Sequence, residues 1–337
     1  MIEGIAWAIF AGLMLGLYAL PEKFTKDFKF ENTWGLFFML TMFVVPVIAS
    51  ITLIDGFSNV FASVPSDVIV KMAIASFLWG IGVMMWGKAI NHIGLSLGFS
   101  IFIGTVILIG SIIPFLVDGV PNQEAFMTIM GGILVVLIGV IANGRAGLIR
   151  EADEKADSQE ENEKGSVGLG ILIAVVGGLL ATGFSYANAV GRPLLHAASQ
   201  AAGNAEWVTA VAVMFPIFIS GGVVMAAYFA WQLSQKKAWG DFKTPSFGKN
   251  LFLILIMAVF HYAASALFAF AAFKLGNQGN TVGYAIFNTA CVATAIVSGI
   301  VTKEWAKASG KAKGFLYFGL ACMIVGIIIV ALGNGLS

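Results

Sequence analysis

The sequence predicts an all-α integral membrane protein with ten transmembrane helices, arranged as two inverted five-helix repeats, and three observations carry that prediction. Hydrophobic residues make up 59% of the 337 and charged residues only 11%, against roughly one half and one quarter in a soluble domain. Ten apolar stretches each reach the roughly 20 residues that a helix needs to cross a hydrocarbon core of about 30 Å. Gly94 to Phe102 (GLSLGFSIF) also aligns, 185 positions on, with Gly279 to Phe287 (GNTVGYAIF); both read G-x-x-x-G-aromatic-small-Ile-Phe.

The first stretch, near 3–20, has no basic leader and no small-residue cleavage site, so it is expected to be a retained helix. The next four lie near 33–54, 68–90, 95–117 and 126–143, and the third holds Trp79 at its middle. The segment 145–164 (RAGLIREADEKADSQEENEK) is dense in charge and free of aromatics, which predicts a solvated connector. Beyond it come spans near 167–189, 207–231, 250–272, 280–301 and 314–333. The expected organisation is therefore a first repeat over 1–144, a charged linker over 145–165 and a second repeat over 166–337. Continuous apolar runs without alternation exclude a transmembrane β-barrel. Cys291 and Cys322 both lie within spans and offer neither a disulfide framework nor a metal spacing.

Loop charge sets the direction of the spans. A ten-span path puts sixteen of the nineteen Lys and Arg residues on the side that holds the linker and leaves Lys71, Arg192 and Lys274 on the other. Cytoplasmic loops collect positive charge, so the linker is expected in the cytoplasm and both termini outside, in a bacterial inner membrane. Five spans is an odd number, so the two halves must cross in opposite senses, the architecture of many alternating-access carriers. A weaker echo pairs Gly16-Leu17-Tyr18-Ala19 with Gly183 to Ala187.

The run Leu78-Trp79-Gly80-Ile81-Gly82, then Gly87, Gly94-Leu95-Ser96-Leu97-Gly98 and Ile103-Gly104, resembles the third and fourth spans of the bacterial L-rhamnose/proton symporter family. Lys303-Glu304-Trp305 resembles the end of that family's ninth span. The family belongs to the drug/metabolite transporter superfamily. The resemblance implies a ten-span fold of two inverted repeats and sugar uptake driven by a cation gradient; composition and the internal repeat imply only a membrane transporter.

Candidate ligands come from polar and aromatic residues inside the spans. Trp79 departs from the usual interfacial place of tryptophan and could stack on the apolar face of a sugar, with helix packing as the competing reading. Trp86, on nearly the same face but beside Lys88, reads as interfacial. His261 lies mid-span, where an ionisable group points to function, and it titrates near neutrality; it is a candidate both for sugar contact and for proton coupling. Tyr262 adjoins it and Ser265 lies one turn on. Tyr186 and Asn188 in the sixth span, Asn288 in the ninth and Ser100 in the fourth complete the candidate substrate set, since amides and hydroxyls match vicinal sugar hydroxyls. His92 and His196 read as residues of a turn and an outer loop.

No carboxylate is expected at a membrane midplane: Asp55, Asp67, Asp118, Glu206 and Glu304 fall at span ends or in loops. Proton coupling then needs His261 or an acid at a span end, and sodium bound by backbone and amide oxygens is an alternative. No enzymatic motif, cofactor, metal site, nucleic-acid surface or obligate protein partner is expected. The leading expectation is a monosaccharide importer, for L-rhamnose or a related deoxy sugar, working by cation symport. The rivals are an exporter of metabolites or drugs with the same fold, a membrane sugar sensor and a channel.

Overall fold

The computed structural model describes residues 1–157 and 166–336. Among these residues all regular structure is helical, and ten helices are long and apolar enough to cross a membrane. The protein is a multi-pass membrane protein. Span 1 is α1 (Ile2–Leu17) closed by a 3-10 turn, Leu20–Phe24. Span 2 combines α2 (Phe30–Met39) with α3 (Val45–Leu53), and a short α4 (Phe57–Ala62) follows it. Span 3 is α5 (Ser66–Ile93), span 4 is α6 (Leu95–Ile112) with α7 (Phe115–Asp118), and span 5 is α8 (Gln123–Asp157). Span 6 joins α9 (Val167–Ala181) to α10 (Gly183–Ala201). Spans 7 to 10 are α11 (Glu206–Gln235), α12 (Phe247–Lys274), α13 (Gly279–Val301) and α14 (Gly310–Gly335).

Three spans break, each for a local reason. Between α2 and α3 the chain makes a π-helical turn over Leu40–Val44, with the Val45 N–H donating to the Leu40 carbonyl. Pro46 follows directly and has no N–H to continue an α-helical ladder, so the wider turn absorbs the missing bond. Pro114 separates α6 from α7. At Thr182 the junction of α9 and α10 lets Gly183 press on α5: a Cβ there would lie 2.0 Å from the Ala75 carbonyl oxygen.

The structure corrects several local expectations. The segment from Arg145 to Asp157, expected as part of a solvated connector, is the helical end of α8, because its Ala, Glu, Lys and Arg are good helix formers. It is docked as well as solvated: the Arg145 guanidinium stands 4.9 Å from the Phe315 ring centre, Arg150 stands 4.8 Å from Trp305, and the Ser309 N–H donates to Asp153. The remainder of the expected linker, 158–165, lies outside the described residues. His196 belongs to α10 and not to a loop, and His92 to the last turn of α5. The paired glycines of the repeat motif do different work. Gly94 takes φ +79° at the one-residue junction of α5 and α6, whereas Gly279 is helical and needed for space, a Cβ there falling 1.8 Å from the Ala272 carbonyl.

Spans 5 and 10 pack along one another, span 1 against 8 and 9, span 6 against 3 and 4, and span 7 against 2 and 3. Close backbone approach permits the first pairing: a Cβ on Gly326 would lie 2.9 Å from the Gly132 carbonyl. Phe37, Met214, Phe218 and Phe268 are fully buried between the spans, while Ile48, Ile51, Leu172 and Ile328 stand exposed on the outside, as an apolar lipid-facing surface requires.

Candidate functional site

Spans 1, 2, 3, 4, 6, 7, 8 and 9 enclose a cavity of about 700 Å³ that runs from mid-span towards the end of the bundle that bears the linker. Phe30 and Lys236 at its rim are solvent-exposed, so the cavity opens at that end. Towards the end that bears the termini it is shut by aromatic packing, in which Phe268 stacks on Phe287 at 5.0 Å and meets Tyr284 at 5.7 Å.

Of the residues proposed from sequence, Trp79, His261, Ser265 and Asn288 meet on this wall. The Trp79 ring is held by Phe184 at 5.2 Å and Phe218 at 5.7 Å. It leans on Gly221, where a Cβ would come within 2.6 Å of the indole. Part of the indole stays open to the cavity.

His261 shares a 3.1 Å hydrogen bond through Nδ1 with the Thr41 hydroxyl, which lies 3.2 Å from the Ala258 carbonyl oxygen. With the hydroxyl donating to that carbonyl, Nδ1–H donates to Thr41, and Nε2 is left as an acceptor. Thr41 sits in the π-helical turn of span 2, so that irregularity is what places the partner of His261. The rings of Tyr18, Phe37 and Phe218 surround the imidazole at 5.0 to 5.5 Å. The Ser265 hydroxyl donates back to the His261 carbonyl at 3.0 Å. Asn288 donates to the Tyr284 carbonyl at 2.9 Å, which occupies one of its two amide protons and leaves its oxygen as an acceptor.

The other four proposed residues do not line the cavity. Tyr262 is buried with its hydroxyl donating to the Val211 carbonyl at 3.3 Å and its ring against Phe218. Asn188 donates at 2.7 Å to Asn280, which in turn donates at 2.7 Å to Asp118. This chain ties spans 6, 9 and 4 together at the closed end, beside a smaller cavity of about 280 Å³ lined by Asp118, Arg192 and His196. Tyr186 and Ser100 line neither cavity.

Sequence reasoning missed the rest of the main wall. Trp86 lines the cavity with its ring stacked on Phe102, and its Nε1–H has no partner among the described residues. Tyr284 reaches the wall only because Gly110 faces it; a Cβ at Gly110 would lie 2.3 Å from the Tyr284 ring. Near the mouth Gln232 donates to the Tyr228 hydroxyl at 2.8 Å, Lys236 pairs with Glu31, and the Trp34 indole N–H donates to Glu22 at 2.7 Å. Leu15 at the end of α1, Tyr18 directly after it and Glu22 in the 3-10 turn line the cavity from span 1. Chemically the wall combines aromatic surface with scattered single donors and acceptors, suited to a small polyhydroxylated solute. Among the described residues no cluster of His, Cys, Asp or Glu could hold a metal ion.

A family model described as L-rhamnose-proton symport protein (RhaT) matches residues 1–336. The chain is 25% identical over 341 residues to the L-rhamnose-proton symporter of Klebsiella pneumoniae subsp. pneumoniae, with 98% of this chain and 97% of the relative covered. It is 24% identical over 344 residues to the protein of the same name from Yersinia pestis, with 99% and 98% covered. With a match from the first span to the last, the chain belongs to the L-rhamnose-proton symport protein family.

Proposed function

We propose that this protein imports a monosaccharide, L-rhamnose or a related deoxy sugar, across the bacterial inner membrane by proton symport and alternating access. The observation that carries the reading is the cavity of about 700 Å³ between the two halves, within the roughly 300 to 1,000 Å³ of small-molecule sites. Trp79 and Trp86 offer ring faces to the apolar side of a sugar. His261 Nε2, Ser265 and Asn288 meet its hydroxyls. The symporters of Klebsiella pneumoniae and Yersinia pestis carry rhamnose and protons in their names, and the solute class suggested by this wall agrees with them.

Two inverted repeats account for the packing. Exchanging the halves turns the pairing of span 1 with 8 and 9 into that of span 6 with 3 and 4; it turns the pairing of 3 with 7 into that of 8 with 2, and leaves 5 with 10 unchanged. The correspondence fails around span 7, which packs on 6 and 8 without comparable packing of span 2 on 1 and 3. In the orientation given by the loop charges the open end is cytoplasmic, so the conformation is inward-facing, and the Asn188–Asn280–Asp118 chain belongs to the closed outer gate.

Counterflow of labelled L-rhamnose in proteoliposomes tests the reading. Saturable exchange is expected. Absence of exchange for every hexose and deoxyhexose would refute sugar transport, and sugar binding without flux would favour a sensor.

A further inference from the structure

Two carboxylates line the cavity, Glu22 and Glu31, and among the described residues only Glu22 has no cation to balance it. Three neighbouring cations are engaged elsewhere: Lys236 with Glu31, Lys23 with Glu304 and Lys29 with Asp241. Among the described residues the hydrogen bond to the Glu22 side chain comes from a neutral donor, the Trp34 indole N–H.

We propose that Glu22 carries the coupled proton, gaining it as the sugar enters the cavity and releasing it as the sugar leaves. This rests on the proton-symport reading above. In the open, empty cavity water solvates the carboxylate. A sugar in the same space displaces that water, and a carboxylate with neither water nor cation around it is costly, so the loaded site favours the neutral acid. The step is a simple protonation: one carboxylate oxygen gains an O–H bond, with the proton taken from water and later returned to water. The Trp34 N–H donates equally well to a carboxylate oxygen and to the carbonyl oxygen of the acid, so the cycle leaves that hydrogen bond intact.

The alternatives on the same wall fit less well. Protonating Glu31 would strand the Lys236 ammonium. Charging His261 would put a cation among the rings of Tyr18, Phe37 and Phe218 with Thr41 as its one polar side-chain partner. The other titratable or charged groups on elements around Glu22 are Lys23, Lys26 and Tyr18 on its own segment and the turn that follows, Lys29 and Glu31 at the start of α2, and Lys249 and His261 on α12. Further groups on these elements near the cavity are Asp27 in that turn, Tyr262 on α12, Tyr228 and Lys236 on α11, Tyr284 and Cys291 on α13, and Glu304 after it.

Calorimetric titration of L-rhamnose into the purified protein, in buffers with different ionisation heats, tests this directly. Wild type should take up close to one proton per sugar, with affinity falling about tenfold per pH unit once Glu22 is ionised. Glu22→Gln, which mimics the protonated acid, should bind sugar with no proton uptake and no pH dependence. In proteoliposomes it should keep counterflow and lose accumulation driven by a pH gradient, and Glu22→Asp should restore that accumulation. Proton uptake persisting in Glu22→Gln would overturn the proposal, as would sugar binding to wild type without proton uptake. Loss of counterflow together with accumulation in Glu22→Gln would also overturn it, since Glu22 would then serve binding or folding. Failure of wild type to bind or exchange any monosaccharide would refute the transport reading instead.

Discussion

Gly110→Ala tests how the cavity wall is built. The added Cβ would sit 2.3 Å from Tyr284 Cε1 and 3.1 Å from Cδ1 and Cζ, where carbon atoms prefer about 3.5 to 4.0 Å. The ring or one of the helices must therefore move by about 1.2 Å or more. Tyr284 has little room to do so: it is 3% exposed and packs against Phe268 at 5.7 Å and Phe184 at 6.4 Å. Overpacking of this kind costs about 1 to 3 kcal/mol. The same displacement shifts the turn of α13 whose Tyr284 carbonyl accepts from Asn288. Gly110→Ala should consequently lower the unfolding temperature of the purified protein and weaken sugar binding together. Tyr284→Leu in the same chain should recover part of the stability, because a double-mutant cycle between contacting groups is non-additive. A stable, tightly binding Gly110→Ala protein would refute the close approach of span 4 to Tyr284.

Three further outcomes are expected. Trp79→Ala should weaken sugar binding about tenfold, equivalent to about 1.4 kcal/mol of lost ring contact, with normal expression; unchanged affinity by calorimetry would remove the stacking platform. His261→Gln should reduce affinity by about two- to tenfold, the worth of one hydrogen bond, and leave sugar-linked proton uptake intact; loss of that uptake would assign the proton to His261. The Lys23 ammonium at Glu304 holds that carboxyl below its ordinary range, a bond that joins the turn after α1 to the turn after α13. Its stabilisation should be present above the ordinary glutamate value of about 4.3 and lost as pH falls through the lower native value. Thermal unfolding followed against pH should then show a smaller acid loss in Glu304→Gln than in wild type.

The ten spans were legible because an apolar run of helical length has no alternative inside a bilayer, where backbone groups must be satisfied within the segment. The end of α8 was misread because charge density marks contact with water but does not forbid a helix, and Arg145 and Arg150 found aromatic faces that no local pattern reveals. His196 was misread for a related reason: Pro193 and the polar residues near it look like a loop, yet α10 runs through them to Ala201.

By itself the sequence determined the helical membrane class, the number of spans, the family resemblance and four residues of the cavity wall. Trp79, His261, Ser265 and Asn288 stood out because polar or aromatic groups in mid-span need a reason. Tertiary structure alone decided which polar residues face the cavity and which close its far end. Asn188 looks as suitable for a sugar as Asn288, but it bonds Asn280, 92 positions away, and lies off the main cavity. Glu22 shows the converse. Nothing in the sequence analysis singles it out, and only the packing around the cavity mouth gives it Trp34 as its partner, with no ion-paired cation among the described residues. A side chain's type sets what it can bond; the contacts that decide its role come from residues distant in the chain.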